Sequence, residues 1–317
     1  MRVFIISSKG DSVNIARKLQ QENHDVNMFV RNKLFRKYAE PDVPLIKSPT
    51  IETMSADLIL VEDSEAGKFV DKARSLNRLV VGGGTTADKL INDLDFNERS
   101  LHGCGLTLSE PKTDGIVTEI GGWFDGEKYL RPHFIGFKYY RLGTGDVGPL
   151  TVGMGMVGTY RIKSRLFTDI LRKTETLMKS LHYLGYASVE GFINNESFKA
   201  AKLHARLQFP TVNLLGELHP TWGPFLLKLS THTSEVVAVQ PDRIAVGITV
   251  LMNGYFNNDE QEPYRFYNAS GQTIEEAKSK AYKAVSRSTI PNGYYRIDIG
   301  DDFKENLQKL EQGGWIR

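Results

Sequence analysis

The first third of the chain alternates short apolar runs with amphipathic segments, and that alternation leaves few folds open. RVFIIS (2–7) reads as a strand, residues 11–21 as a helix with Val13, Ile15, Ala16 and Leu19 on one face, and DVNMFV (25–30) as a second strand. ADLILVED (56–63) reads as a buried strand, Glu65 to Leu76 as a helix, and NRLVVGGG (77–84) as another strand ending in a turn. Strand, helix, strand in this order implies a parallel, doubly wound sheet. Ligands of such sheets sit at the carboxyl ends of the strands, which makes Gly10, Asp11, Glu62 and Asp63 candidate binding residues. The first turn, SSKGDS, carries a single glycine, so the dinucleotide fingerprint is missing and a nicotinamide cofactor has no support.

After Pro111 the pattern turns antiparallel, with GIVTEIGGW (115–123) and KYLRPHFIGF (128–137) joined through Phe124-Asp125-Gly126-Glu127. A glycine-rich stretch, RLGTGDVGPLTVGMG (141–155), follows. SRLFTDILRKTETLMKSLHYL (164–184) is expected to form one amphipathic helix of about twenty residues, closed by Gly185. Two strands, ASVEGFI and ESFKAAKLHAR, precede a helix after Pro210. The last third holds the strand RIAVGITVLM, the polar loop NNDEQEP, the strand YRFYNA and a helix opened by Thr273 with Glu276 three residues on, a capping box. The length of 317 residues exceeds one ordinary core. The expected division is 1–110, 111–235 and 236–317: an α/β protein with a doubly wound N-terminal domain, an α+β middle and a C-terminal α/β subdomain.

Charge is balanced, 40 Lys+Arg against 38 Asp+Glu, so no field of the whole molecule draws nucleic acid or membrane, and any basic site must be local. The single cysteine, Cys104, forms no internal disulfide and points to a reducing compartment without structural zinc. No run reaches the roughly 20 apolar residues of a membrane span, and the N-terminal apolar run is too short for a signal peptide; the expectation is a cytoplasmic protein without membrane contact. His24, His182 and His219 lack metal-ligand spacing, and Trp123, Trp222 and Trp315 are scattered as core or interface aromatics are. The run RNKLFRK (31–37) is a basic patch read as a solvated loop.

Two constellations remain. The glycine-rich stretch has five glycines in fifteen residues, which either make a tight connector or let the backbone approach a ligand closely. Asp146 within it suits an amine through charge-assisted hydrogen bonding, or else caps a turn. Lys202, His204 and Arg206 alternate on one strand and so share a face, solvated or turned to a ligand. Lys138 and Arg141 are further candidate cations, a point charge and a planar fork that both suit phosphate or pyrophosphate. Tyr139 and Tyr140 are a possible stacking pair, and Arg161 and Lys163 follow the glycine-rich stretch without an assigned direction.

The glycine-rich stretch resembles the R-x-G-x-x-D-x-G-P-x-T-x-G-M-G loop of phosphoribosylamine-glycine ligase, an ATP-grasp family. The match runs through Arg141, Gly143, Asp146, Gly148, Pro149, Thr151, Gly153, Met154 and Gly155. VFIISSKGDSVNIARKL, DLILVEDSEAG, GQTIEEAKSKAYKAV and YYRIDIG are similar to further family segments in the same order, so the resemblance spans nearly the whole chain. Three departures accompany it. Only SEPKTD separates Leu108 from Gly115, where the family carries a nucleotide-binding lid. The family's metal-binding E-F-N segment aligns with Lys202, Leu203 and His204, and a lysine ammonium repels magnesium. The acid of the family's Q-D-H-K run is Lys138.

The resemblance with its departures implies a lidless ATP-grasp-like fold without bound metal or cofactor. The implied activity is an ATP-independent transfer of an amino acid or amine, held by Asp146 and the glycine-rich loop, to an acceptor already carrying phosphate or pyrophosphate. Lys138, Lys202, His204 and Arg206 would neutralise the leaving group. The acceptor is a nucleotide or a modified base in DNA; a binding-only regulator and a ligase completed by a partner are the alternatives.

Overall fold

The computed structural model describes residues 1–39, 41–49, 55–110, 115–194, 197–237, 239–240, 242–252 and 264–316. The polar loop NNDEQEP lies outside them. The N-terminal unit is a four-stranded parallel sheet of β1 (Arg2–Ser7), β2 (Asp25–Val30), β3 (Leu58–Val61) and β4 (Val80–Val81), in the order β2-β1-β3-β4. Helices α1 (Val13–Gln21), α2 (Lys33–Ala39), α3 (Gly67–Ser75), α4 (Thr85–Asn92) and α5 (Leu94–Gly103) alternate with and follow these strands. Val3 and Ile5 of β1 face one core while Phe4 and Ile6 face another against α3, so the sheet is apolar on both sides, as a parallel sheet covered on both faces requires.

The second sheet has seven strands: β5 (Ile116–Phe124), β6 (His133–Gly143), β7 (Val147–Arg161), β8 (Gly185–Ile193), β9 (Phe198–His204), β10 (Ile244–Leu251) and β11 (Tyr264–Gly271). Their order is β11-β10-β7-β6-β5-β8-β9, antiparallel throughout. Asp125 makes the β5–β6 turn by accepting from the amides of Glu127 and Lys128, both at 2.8 Å.

Helices α10 (Ile274–Ser286) and α11 (Phe303–Gln312) cover one face, with Ile274, Ala277, Ala281, Phe303 and Leu310 in the shared core. Thr273 accepts from the Glu276 amide at 3.2 Å, and the Glu276 carboxylate accepts from the Gln272 amide at 2.8 Å, which closes the expected cap one residue early. The other face packs on the parallel sheet through α8 (Thr211–Leu218) and α9 (Gly223–Ser230). There Trp123 is fully buried, edge-on to Tyr186, His219, Trp222 and Phe225 at ring distances of 5.0–5.8 Å. Trp315 is buried beneath Arg165. No helix among the described residues is long and apolar enough to cross a membrane.

The single helix expected over 164–184 is three short pieces: α6 (Arg165–Asp169), a 3-10 turn (Leu171–Thr174) and α7 (Glu175–Ser180). The break has a tertiary cause. Tyr129, buried against this segment, bonds the Thr174 hydroxyl at 2.8 Å and donates its amide to Glu175 at 3.2 Å. Those bonds draw the chain inward where an uninterrupted helix would carry Thr174 and Glu175 past them. Gly185 opens β8 instead of closing a helix, and His182 takes the left-handed position at φ +48°.

Candidate active site

The polar centre of the molecule lies on the face of the seven-stranded sheet turned toward the parallel sheet. Neighbouring strands set a row of charges there. Glu119 on β5 stands directly opposite Glu190 on β8, and Glu190 stands opposite Lys202 on β9. Lys138 reaches in from β6 on the other side of Glu119.

Opposed carboxylates on adjacent antiparallel strands repel. Here the ammonium of Lys138 lies between them, 2.7 Å from Glu119 and 2.6 Å from Glu190. Glu119 is completely buried and also accepts from Tyr186 at 3.0 Å, Thr211 at 2.8 Å and Gln208 at 3.1 Å. Glu190 is slightly exposed and accepts from the Tyr140 hydroxyl at 2.8 Å. Burial alone would lower the Lys138 pKa, but Glu119, Glu190 and Tyr140 hold it well above the ordinary lysine value. Burial, then Lys138, Lys202 and Arg206, push His204 well below its usual range, so its imidazole is neutral. Both its ring nitrogens are buried without a hydrogen-bond partner. Asn97 on α5 fixes β9 by donating to the Leu203 carbonyl at 2.7 Å and accepting from its amide at 3.0 Å. That pairing sets the direction of Lys202 and His204 on either side.

The ends of the parallel strands form a second group. Gly10 (φ +83°) and Asp11 lie in the β1–α1 turn, and Glu62 and Asp63 follow β3. Glu62 is buried and accepts from the Ser7 hydroxyl, Asp11 accepts from Tyr264 at 2.9 Å, and Asp63 binds Arg31 at 2.7 Å. Burial, and then the charge of Asp11, push the Glu62 pKa up to about 8; burial pushes Asp11 up to about 6. Arg206, beyond the end of β9, lowers both and also acts on His204, so it couples the two groups electrically. Its Nε is buried without a partner. Asp11 and Gly10 open onto a polar cavity of about 300 Å³ shared with Lys9, Asn14, Asn213 and Asn268.

The Glu62 shift gives a direct prediction. Its protonated form is favoured in the fold, so its contribution to stability falls as pH climbs from the ordinary carboxyl range through about 8, by up to about 1.4 kcal/mol per unit. Glu62→Gln is therefore expected to match the parent in thermal melts at pH 5 and to exceed it at pH 8.5. An equal difference at both values would mean that Glu62 is ionised throughout.

The remaining candidates sit elsewhere. Residues 142–148 form the tip of the β6–β7 hairpin, exposed from Thr144 onward, with Gly145 and Asp146 both at positive φ. The Asp146 side chain is 65% exposed and binds Arg296, itself buried, at 3.0 Å. Arg141 donates to the Gly148 carbonyl at 2.8 Å, and Pro149 is exposed beside it. Thr151 donates to the Tyr140 carbonyl at 2.7 Å and accepts from the Gly153 amide at 2.9 Å. Met154 is wholly buried, and a Cβ on Gly155 would lie 2.8 Å from the Gly247 carbonyl and from Ile299. So Lys138, Lys202 and His204 do come together, but with two carboxylates among them, and the row is charge-balanced. Arg206 leaves that row for Asp11 and Glu62, and Asp146 stays at the hairpin tip. Glu119 and Glu190 went unnoticed in the sequence, although each is a lone carboxylate in an apolar strand, a costly placement unless it is paired. Among the described residues no group of three or more His, Cys, Asp or Glu side chains converges as metal ligands do.

No protein-family model and no curated protein matches the chain. Solved structures do. Phosphoribosylamine-glycine ligase from Thermotoga maritima superposes with a TM-score of 0.73 at 16% identity, over 94% of this chain and 100% of that one. The ATPase subunit of phosphoribosylaminoimidazole carboxylase from Aquifex aeolicus gives 0.61 at 14% identity, over 90% and 100%. The biotin carboxylase domain of a single-chain bacterial carboxylase gives 0.58 at 11%, over 98% and 99%. At such identities the likeness is one of fold: the chain has an ATP-grasp-like fold.

Proposed function

We propose that this chain transfers an amino acid or other amine, without ATP or a divalent metal, to an acceptor that already carries a phosphate or pyrophosphate leaving group. The observation that supports this most is the Lys138 ammonium between Glu119 and Glu190. A phosphoryl-transfer site needs a mobile divalent cation between such carboxylates; this one has a cation fixed to the chain. Twelve residues join α5 to β5, too few for a folded nucleotide lid. The charge layout fits an amino acid zwitterion: Glu190 at the rim suits its ammonium and Lys202, opposite on β9, its carboxylate. The ammonium must lose a proton before it attacks, and the neutral His204 imidazole, with Nε2 3.8 Å from Glu190, is the group placed to take it. The amine then displaces phosphate or pyrophosphate from the acceptor carbon, with Arg206 offsetting the departing charge.

Calorimetric titration with glycine, pyrophosphate and phosphoribosyl compounds, alone and in pairs, tests the proposal, with Glu190→Gln and Lys202→Ala alongside. Binding of the amino acid without ATP, weakened roughly tenfold or more by either substitution, is the expected outcome. Tight binding of Mg-ATP by the isolated chain would overturn it. The second reading, a binding-only descendant, is favoured by the complete pairing of Glu119 and predicts the same binding without turnover.

A further inference from the structure

The far end of the seven-stranded sheet carries a basic groove that the proposed reaction does not use. It is a cavity of about 280 Å³ with Arg131, Lys163, Arg165, Phe167 and Trp315 among its walls. Two of the cations stand on aromatic rings: the Arg131 guanidinium is 5.9 Å from the centre of Phe167, and that of Arg165 is 4.6 Å from Trp315. Phe167 and Trp315 are themselves 7% and 4% exposed, so the rings are anchored in the core and hold the guanidinium planes in place. Arg165 has one carboxylate partner, Asp169, at 3.0 Å, and its side chain remains 53% exposed. Among the described residues neither Arg131, Lys163 nor the adjacent Arg161 has a carboxylate partner. Ile162, next to Lys163, is 66% exposed.

In a chain whose formal charge is only +2, four cations sharing one acid over this small area are a local excess. Fixed guanidinium forks match phosphate oxygens better than a flexible ammonium does, and their spread suits successive phosphates more than a single anion. The register places the groove. His133 pairs with Arg161, and Lys138 pairs with Met156, so the groove begins five residues along β6 and β7 from the charge row. At the rise of a strand that is about 17 Å. Five is an odd step, so His133 and Arg161 turn to the opposite face of the sheet from Lys138. A small acceptor seated by Glu190 does not reach the groove; only a strand long enough to pass around the ends of β6 and β7 meets both.

We infer that this groove binds the phosphate backbone of a polynucleotide, and that the acceptor of the transfer is a base carried in such a strand and not a free nucleotide. The second half rests on the transfer reading; the binding does not.

Fluorescence anisotropy with a labelled twenty-nucleotide DNA strand and the matching duplex tests it across a salt series. Affinity is expected to fall linearly on a log–log plot, and Arg131→Ala/Lys163→Ala to make the slope shallower by about 2. Affinity at low salt should drop about tenfold or more in that variant. Both side chains are exposed, so the variant is expected to keep its melting temperature. Lys202→Ala, which tests the amino acid site, should leave DNA affinity unchanged; this separates failure of the transfer reading from failure of the groove. Absence of salt-dependent binding, or a slope the double variant does not move, would overturn the inference. So would a mononucleotide that displaces the strand at equal concentration, since the groove would then hold one phosphate.

Discussion

Replacing Lys138 with alanine is expected to cost about 3–5 kcal/mol of folding stability, as the loss of one partner of a buried ion pair does. The expectation follows from register. Glu119 and Glu190 face each other on neighbouring strands, and at about 5 Å in a medium of intermediate dielectric their repulsion is about 3 kcal/mol. Tyr186, Thr211 and Gln208 hold Glu119 in place, so its carboxylate cannot turn away. Glu119→Gln in the Lys138→Ala background should recover part of the loss, because it removes one of the two uncompensated charges. Metal response carries the functional content. Without the ammonium the two carboxylates become oxygen ligands for a hard cation. Millimolar manganese should therefore raise the melting temperature of Lys138→Ala and leave the parent unchanged. A parent that responds equally would mean that a divalent site coexists with Lys138, and the metal-free proposal would fall.

Arg296→Ala is the second large effect, again about 3–5 kcal/mol by chemical denaturation. Its buried guanidinium binds Asp298 through two bonds of 2.8 and 2.7 Å, Asp146 at 3.0 Å and the Arg141 carbonyl at 3.1 Å, and it lies over the Tyr139 ring. Arg296 thus ties the hairpin tip to the C-terminal segment. Asp146 is its exposed partner, so Asp146→Ala should cost less than about 1 kcal/mol. The contrast decides what Asp146 does. Loss of glycine binding in a stable Asp146→Ala protein would make it the amine-holding residue implied by the family resemblance. Unchanged binding would leave it as the partner of Arg296 and assign the amine to Glu190.

Most of the architecture was legible because its signals are local. Period-two and period-3.6 patterns placed the parallel strands, the β5–β6 hairpin and α10 close to where they are, and the glycine-rich stretch pointed to a fold that the superpositions share. The helix expected over 164–184 failed where a local signal met a distant one. Its amphipathic pattern is real, but the segment also packs on Tyr129, 45 residues before Thr174, whose hydroxyl bonds that of Thr174, a contact no local pattern shows.

The sequence by itself determined the ordering of strands and helices, the absence of a dinucleotide fingerprint, and the placing of Lys202 and His204 on one face of a strand; only the family resemblance turned that face, with Lys138, toward a cleft. It could not determine their charge state or their partners. Glu119 and Lys138 come from one pair of neighbouring strands and Glu190 and Lys202 from another far along the chain, and only the pairing of β5 with β8 turns them into one row in which an ammonium bridges two carboxylates. Coulomb interactions depend on separation in space. A sequence lists charges by position along the chain, and it is the pairing of β6, β5, β8 and β9 that brings these four within a few ångströms of one another.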